Sequence, residues 1–261
     1  MHMLRWLGLA ALVLSTSVQA ATLDMSNLRT VATFDQFGQG SNLLCVDGQL
    51  LFPETGTDSL LVRDLRTGAS HDIALTLTRG MYVVGIGGTR YAVSDPYEDK
   101  IAIVDLSTGH QVSQYQYQEH FGPWHLAFYN GVVYGSDKGD RMINRFSPTA
   151  RRQLADYASG SGPSYMVADH NHLFVAEEGA PGQAGDDKIA WYDLATGQLG
   201  GREKLEGSIN EMTSWGDGVC ITQSVTNKIQ CGHPERGDWL FADTGNSPWG
   251  ITTGAGQIWV L

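Results

Sequence analysis

The chain has 261 residues, with 17 Lys+Arg against 28 Asp+Glu and a formal net charge of −11. Nucleic acid and anionic membrane surfaces require clustered Lys and Arg, so this balance excludes them as partners. Cationic ligands, divalent metal ions and basic proteins remain admissible.

Residues 1–20 read as an export signal. Arg5 supplies the positive start, residues 6–14 an apolar stretch, and Val18-Gln19-Ala20 a small-x-small cleavage pattern. The apolar stretch falls short of the ~20 residues a membrane-spanning helix needs. The expectation is therefore a periplasmic or secreted monomer without a membrane span, residues 21–261 forming a single domain.

Along that domain one phrase recurs. Asp64-Leu65-Arg66-Thr67-Gly68 returns as Asp105-Leu106-Ser107-Thr108-Gly109 and as Asp193-Leu194-Ala195-Thr196-Gly197, with degenerate copies ending at Ser147 and His233. Taken at Asp64, Asp105, Ser147, Asp193 and His233, the intervals are 41, 42, 46 and 40. A period of about 40–50 residues is that of a four-stranded propeller blade. The first strand of each unit is predicted to begin at Gly40, Gly80, Pro123, Pro163, Asn210 and Pro248. Tight turns follow, among them Asp47-Gly48, Asn130-Gly131 and Asp217-Gly218, residue pairs suited to two-residue hairpins. His170 and His172 fall at such a turn and read as turn residues. The C-terminus provides only the first two strands of a sixth unit, and residues 23–34 resemble the missing last two. The fold class predicted is all-β: a six-bladed β-propeller, its ring closed by N-terminal strands that complete the C-terminal blade.

The three cysteines are Cys45, Cys220 and Cys231. A hairpin folded about Val225 and Thr226 puts Cys220 opposite Cys231, within reach of a cross-strand disulfide in an exported protein. Cys45 falls on a predicted buried strand and is expected as a core thiol.

The Asp-Leu-x-Thr-Gly turn, the run Lys100–Asp105 and Pro248-Trp249-Gly250-Ile251 together resemble the NHL/YVTN-like six-bladed propellers. That broad group also contains the SMP-30/gluconolactonase-like proteins and the virginiamycin B lyase-like proteins. The resemblance spans the whole mature chain. It implies a binding face where the first strands begin at the axis and the loops between second and third strands open.

Residues phased to that axis are Asn42, Tyr82, Trp124, His125, Tyr165, Asn210, Glu211 and Trp249. Of these, His125 and Glu211 are the candidate catalytic pair, because imidazole titrates near neutral pH and a carboxylate beside it serves as base or metal ligand. Asn42, Tyr82, Trp124, Tyr165, Asn210 and Trp249 are the candidate ligand-binding residues, polar groups among aromatics. The lactonase-like members hold a metal on a Glu at the first entry, where this chain has Gln39-Gly40-Ser41-Asn42 and no acid. The streptogramin lyases use a His base and a metal-binding Glu, roles the resemblance assigns to His125 and Glu211.

A second set is acidic: Glu54, Asp58, Asp95, Glu98, Asp99, Asp137, Asp140, Glu177, Glu178, Asp186 and Asp187 all fall between second and third strands. Such a rim would attract Ca²⁺, Mg²⁺ or cationic ligands, although Asp is also an ordinary turn residue. A divalent cation is the one cofactor suggested. The Gly-rich stretch 177–187 is a further candidate contact. Two functional expectations result: a module binding a small-molecule or protein ligand at this face, or a metal-dependent lyase or lactonase-like hydrolase at the axis.

Overall fold

The computed structural model describes residues 10–13, 42–117, 122–178, 187–245, 247–254 and 257–260. The described chain is all-β, opening with β1 (Ala10–Val13). Five antiparallel four-stranded meanders follow in strict chain order, as a propeller topology requires. The first blade is β2 (Leu44–Val46), β3 (Gln49–Glu54), β4 (Ser59–Asp64) and β5 (Ser70–Ala74). The second is β6 (Tyr82–Gly87), β7 (Arg90–Asp95), β8 (Lys100–Asp105) and β9 (His110–Gln116). The third is β10 (Leu126–Tyr129), β11 (Val132–Asp137), β12 (Met142–Ser147) and β13 (Arg152–Ala158). The fourth is β14 (Gly162–Asp169), β15 (His172–Glu178), β16 (Lys188–Asp193) and β17 (Leu199–Lys204). The fifth is β18 (Glu211–Trp215), β19 (Gly218–Gln223), β20 (Lys228–Gly232) and β21 (Leu240–Asp243).

A last sheet joins β22 (Ile251–Gly254) and β23 (Gln257–Val260) to β1. The expected count of six blades is therefore corrected to five complete blades and one three-stranded sheet among the described residues. The C-terminus supplies only two strands, and the third comes from Ala10–Val13, with Ala10 opposite Val260. Residues 23–34, expected at that edge, lie outside the described residues.

The chain divides into two compact units. One, Gln36–Ser164, contains the first three blades; the other contains Tyr165–Leu261 and the N-terminal strand. In the first unit Leu51, Leu60, Val62, Ile73, Val83, Val93 and Ala102 form a core between the first two blades. In the second, Phe174, Ile189, Met212, Val219 and Ile221 join the fourth and fifth blades, and Cys220, Ile229, Ile251 and Ile258 join the fifth to the last sheet.

Second strands are buried nearly end to end, while fourth strands alternate: β7 is almost fully covered, whereas β9 alternates exposed and partly buried positions. This is the pattern of strands packed on two faces against strands wetted on one. The expected hairpins form with left-handed backbone at Asp47 (φ 46°), Asn130 (φ 49°) and His170 (φ 44°). His170 thus sits in the turn as expected, whereas His172, also expected there, is the first residue of β15 and pairs with Asp193.

The recurring Asp-Leu-x-Thr-Gly phrase is a turn built around its carboxylate. Asp64 Oδ1 accepts the N–H groups of Arg66 and Thr67, both at 2.8 Å, and Asp193 Oδ1 those of Ala195 (3.1 Å) and Thr196 (2.7 Å). In the second blade the hydroxyls of Ser107 and Thr89 hold the Asp105 carboxyl down to about 2. The following Leu donates its N–H to the first-to-second-strand turn, as Leu65 does to Gly48 and Leu106 to Thr89.

A less visible device repeats at the residue before each third strand. The carbonyls of Asp58, Asp99, Arg141, Asp187 and Asn227 accept the N–H groups of Leu75, Tyr117, Ser159, Leu205 and Thr244, just beyond the fourth strand. Three of the same side chains also bind the next blade's entry: Asp99 accepts Gly122 N–H (3.2 Å), Asp187 Ile209 N–H (3.1 Å) and Asn227 Ser247 N–H (2.8 Å).

Cys220 and Cys231 stand opposite each other on β19 and β20 and form the expected disulfide. Cys45 is exposed on β2, not a core thiol; β2 is a short edge strand, and its Cys side chain faces away from the cluster on which Leu44 and Val46 pack. Closing an 11-residue separation restricts the unfolded chain by about 2–3 kcal/mol. Replacing Cys220 and Cys231 together by Ala should lower unfolding free energy by that order, measured by denaturant melts. An unchanged midpoint would show that the bridge contributes nothing.

Candidate functional site

The register of the blades makes the inner positions comparable. Met81, Trp124 and Asn210 each donate their N–H to the carbonyl of a second-strand residue, Ser94, Ser136 and Thr222 respectively. Tyr82, His125 and Glu211 are therefore equivalent residues, and all are buried, at 6, 7 and 6 % exposure. The sequence phasing of these positions is reproduced.

In the unit Gln36–Ser164 the structure brings Asn42, Tyr82, Trp124 and His125 into one connected group. Asn42 Oδ1 accepts the Val83 N–H at 3.1 Å, fastening the first blade to the second. The Tyr82 and His125 rings lie 4.4 Å apart at 53°. His125 N–H donates to Ser136 Oγ at 2.9 Å, and Ser136 Oγ donates to the Ser164 carbonyl at 2.7 Å. The entry segment Gly122-Pro123-Trp124 is seated closely: a Cβ on Gly135 would lie 2.5 Å from Pro123 Cβ, so only glycine fits beneath that ring. The Trp124 ring meets the edge of Tyr97 at 5.5 Å, and Lys138 Nζ lies 5.3 Å over it.

In the other unit Thr222 Oγ1 donates to the Trp249 carbonyl at 2.9 Å, while the Trp249 side chain is 61 % exposed. Asn210 Oδ1 accepts Ser224 Oγ (2.8 Å) and Ser224 N–H (3.2 Å), stiffening its own blade. Glu211 Oε1 accepts the Met212 N–H at 3.0 Å. Tyr165 packs against the apolar cluster of Val167, Ile209 and Met212.

The acidic rim separates into buried acceptors and surface charges. Asp95 and Asp137 end the second strands of their blades, Glu177 lies one residue before the end of its own, and all three are at most 1 % exposed. Asp95 takes the N–H groups of Thr78, Arg79, Tyr97 and Glu98. Glu177 takes a paired contact from Arg202 (2.6 and 3.1 Å) and the Tyr192 hydroxyl (2.9 Å). Such carboxylates are committed to folding the loops and do not fit a calcium cage, which needs six to eight oxygens turned toward one point. Among the described residues no group of three or more His, Cys, Asp or Glu is arranged to hold a metal ion. Asp186 lies outside the described residues.

Tyr97, Lys138 and Ser94 adjoin Trp124 and Tyr82 without being marked by the blade phase, and Asp137 reads from sequence only as a rim charge. A signal was present: Ser94-Asp95 and Ser136-Asp137 repeat a Ser-Asp pair at the end of an apolar strand, where a surface strand would not carry two buried polar groups.

No known protein family matches the chain, and no curated protein matches it. Solved structures do. A streptogramin B lyase superposes with a TM-score of 0.69 at 16 % identity, covering 97 % of this chain and 79 % of that one. Virginiamycin B lyase from Staphylococcus aureus gives 0.67 at 14 %, covering 84 % and 78 %. Kuenenia stuttgartiensis hydrazine synthase gives 0.68 at 13 %, covering 82 % and 70 %. At such identities the likeness establishes the β-propeller fold.

Burial pushes Asp137 up to about 6; the Asp140 N–H pulls it down, and the charges of Asp140 and Asp99 add to the rise. A raised carboxyl stabilises the fold fully below its unfolded value near 4, and that stabilisation is lost as pH rises through about 6. Asp137→Asn should therefore raise stability on the order of 2 kcal/mol at pH 7.5, with the advantage gone at pH 4. Thermal melts at both pH values check this; a variant equally destabilised at each would show that Asp137 is held as a charged acceptor.

Proposed function

We propose that the chain is an exported β-propeller that binds a small-molecule or protein ligand through the inner ends of its first strands. The observation that carries this reading is the buried Tyr82–His125 contact at equivalent positions of neighbouring blades. Folding alone favours apolar side chains at buried strand ends, since burying polar groups costs free energy unless they are bonded. A phenol and an imidazole in contact at equivalent buried positions of the second and third blades have the composition of a recognition site. Export rests on the sequence of residues 1–20 and accords with the Cys220–Cys231 disulfide; cleavage after Ala20 would remove β1, which pairs with β23, from the last sheet.

A second reading, a lyase dependent on a divalent metal, is favoured by the structural likeness to two lyases together with His125 and Glu211 in the repeat. His125 would act as the base and Glu211 as the metal ligand.

Calorimetric titration with Mg²⁺ and Ca²⁺, and turnover of virginiamycin B followed by mass spectrometry, separate the readings. The binding reading expects no turnover, and a screen of small polar ligands in which His125→Ala or Glu211→Ala weakens any hit at least tenfold. Turnover lost in both variants would establish the lyase instead. Hits bound with full strength by both variants would overturn the inner-strand site.

A further inference from the structure

The turn after the third strand is built on a side-chain acceptor, and in the fifth blade that acceptor is an imidazole. Asp64, Asp105 and Asp193 each take the N–H group two residues ahead, at 2.8, 3.0 and 3.1 Å. His233 does the same: its Nδ1 accepts the Glu235 N–H at 3.3 Å. Its carbonyl accepts the Gly237 N–H, as the Asp193 carbonyl accepts that of Gly197. A carboxylate keeps its lone pairs far into the acid range, as Asp105 does down to about 2. An imidazole gives up its acceptor when it takes a proton, because both ring nitrogens then donate.

The same imidazole is a contact between two blades. Its ring lies 5.9 Å from that of His172, at 86°, and 5.6 Å from that of Phe174, at 88°; both partners belong to β15 of the fourth blade. His233 is 5 % exposed, and Phe174 is fully buried. The His233 N–H donates to Asp238 Oδ1 at 2.7 Å, and its carbonyl accepts the Arg236 and Gly237 N–H groups, each at 3.0 Å. These backbone bonds keep the residue at the junction.

The charged and titratable groups around His233 come from its own turn and from both blades. Its turn supplies Glu235, Arg236 and Asp238, the β18–β19 turn Asp217, and β15 His172, which stands opposite Asp193 of β16. Pro234 has no N–H to give the first-to-second-strand turn, as Leu65 and Leu106 do; Arg236 reaches Asp217 there instead, at 2.7 and 3.0 Å. It also holds Asp238 at 2.8 Å, so two of the three carboxylates are offset. Burial, followed by the charge of Arg236, pushes His233 below the ordinary imidazole value; Asp217 and Glu235 oppose this, and His172 adds to it.

We propose that His172 and His233 form an acid-sensitive latch between the fourth and fifth blades, closed while His233 is neutral and loosened when it takes a proton. The proton removes the acceptor of the Glu235 N–H, puts a charge beside the buried Phe174 ring and sets that charge against Arg236 and a second imidazole. With His233 lowered in the fold, the latch contributes fully above the ordinary value of about 6.5, and its contribution is lost as pH falls from there through the folded value. The latch does not depend on what the inner strand ends bind.

Hydrogen–deuterium exchange of the full chain and of His233→Asn, at pH 7.5 and at pH 5, tests it. Asn retains an acceptor for the Glu235 N–H and takes no charge. The parent-to-variant ratio of exchange rates in β15 and β20 should rise about threefold or more between pH 7.5 and pH 5, with β7 unchanged. An unchanged ratio, or an equal rise in β7, would overturn the proposal. Histidine-selective ¹⁵N NMR of the parent decides the matter should His233→Asn fail to fold. Nδ1 of His233 should be the unprotonated nitrogen at pH 7.5, the ring should titrate below about 6.5, and His172→Gln should move that midpoint upward. A midpoint at or above the ordinary value, or one that His172→Gln leaves unmoved, would equally overturn it.

Discussion

Backbone N–H groups at the blade entries are the constraint on which the rest of this structure depends. A meander pairs its own strands, but the segment that enters each blade precedes the ladder and has no strand partner. Here the preceding blade supplies one, through the side chain before its third strand: Asp99 to Gly122, Asp187 to Ile209 and Asn227 to Ser247. The same residue's carbonyl fastens the end of its own fourth strand. In the second, fourth and fifth blades one position thus ties a blade to itself and to its successor, and Asp or Asn, short acceptors tolerant of left-handed backbone, stand there, whereas the third blade has Arg141. Asp58, Asp99 and Asn227 adopt that conformation, at φ 53°, 54° and 55°.

This economy changes the meaning of the chain's acidity. Within the carboxylate rim, Asp95, Asp99 and Asp187 accept backbone N–H groups and Glu177 pairs with Arg202, so these four serve the fold. The inner strand ends carry buried polar side chains of another kind, with Tyr82, His125 and Glu211 at equivalent positions of their blades. Neighbouring blades differ there while their frames repeat, and that is how one scaffold carries many activities. The fold likeness to lyases and to hydrazine synthase is consistent with such reuse.

Much of the frame was legible because its devices are local. The Asp-Leu-x-Thr-Gly phrase needs only its own five residues, and Cys220–Cys231 follows from the symmetry of one hairpin. Blade phase was equally clear, and with it the equivalence of Tyr82, His125 and Glu211. The count of complete blades was not, since it turns on which N-terminal strand pairs with β23, a choice made across the whole chain. Cys45 was misplaced because alternation on a three-residue strand such as β2 is too brief to fix its face. The acidic rim was legible only as charge and turn residues: composition shows that Asp95 and Asp187 are acidic, but only the fold shows which backbone groups they serve. Ser94 and Ser136 occupy equivalent positions, and only the fold shows that Ser136 Oγ donates to the Ser164 carbonyl.

The most direct test of this account is the stability of Asp187→Ala with and without calcium. Asp187 is 8 % exposed and accepts the Ile209 N–H that opens the fifth blade. If its task is to satisfy that entry, the variant loses about 1.5–3 kcal/mol, equally in chelator and in millimolar Ca²⁺. A loss that appears only when calcium is present, together with calcium stabilising the parent, would contradict the account and return the acidic rim to metal binding.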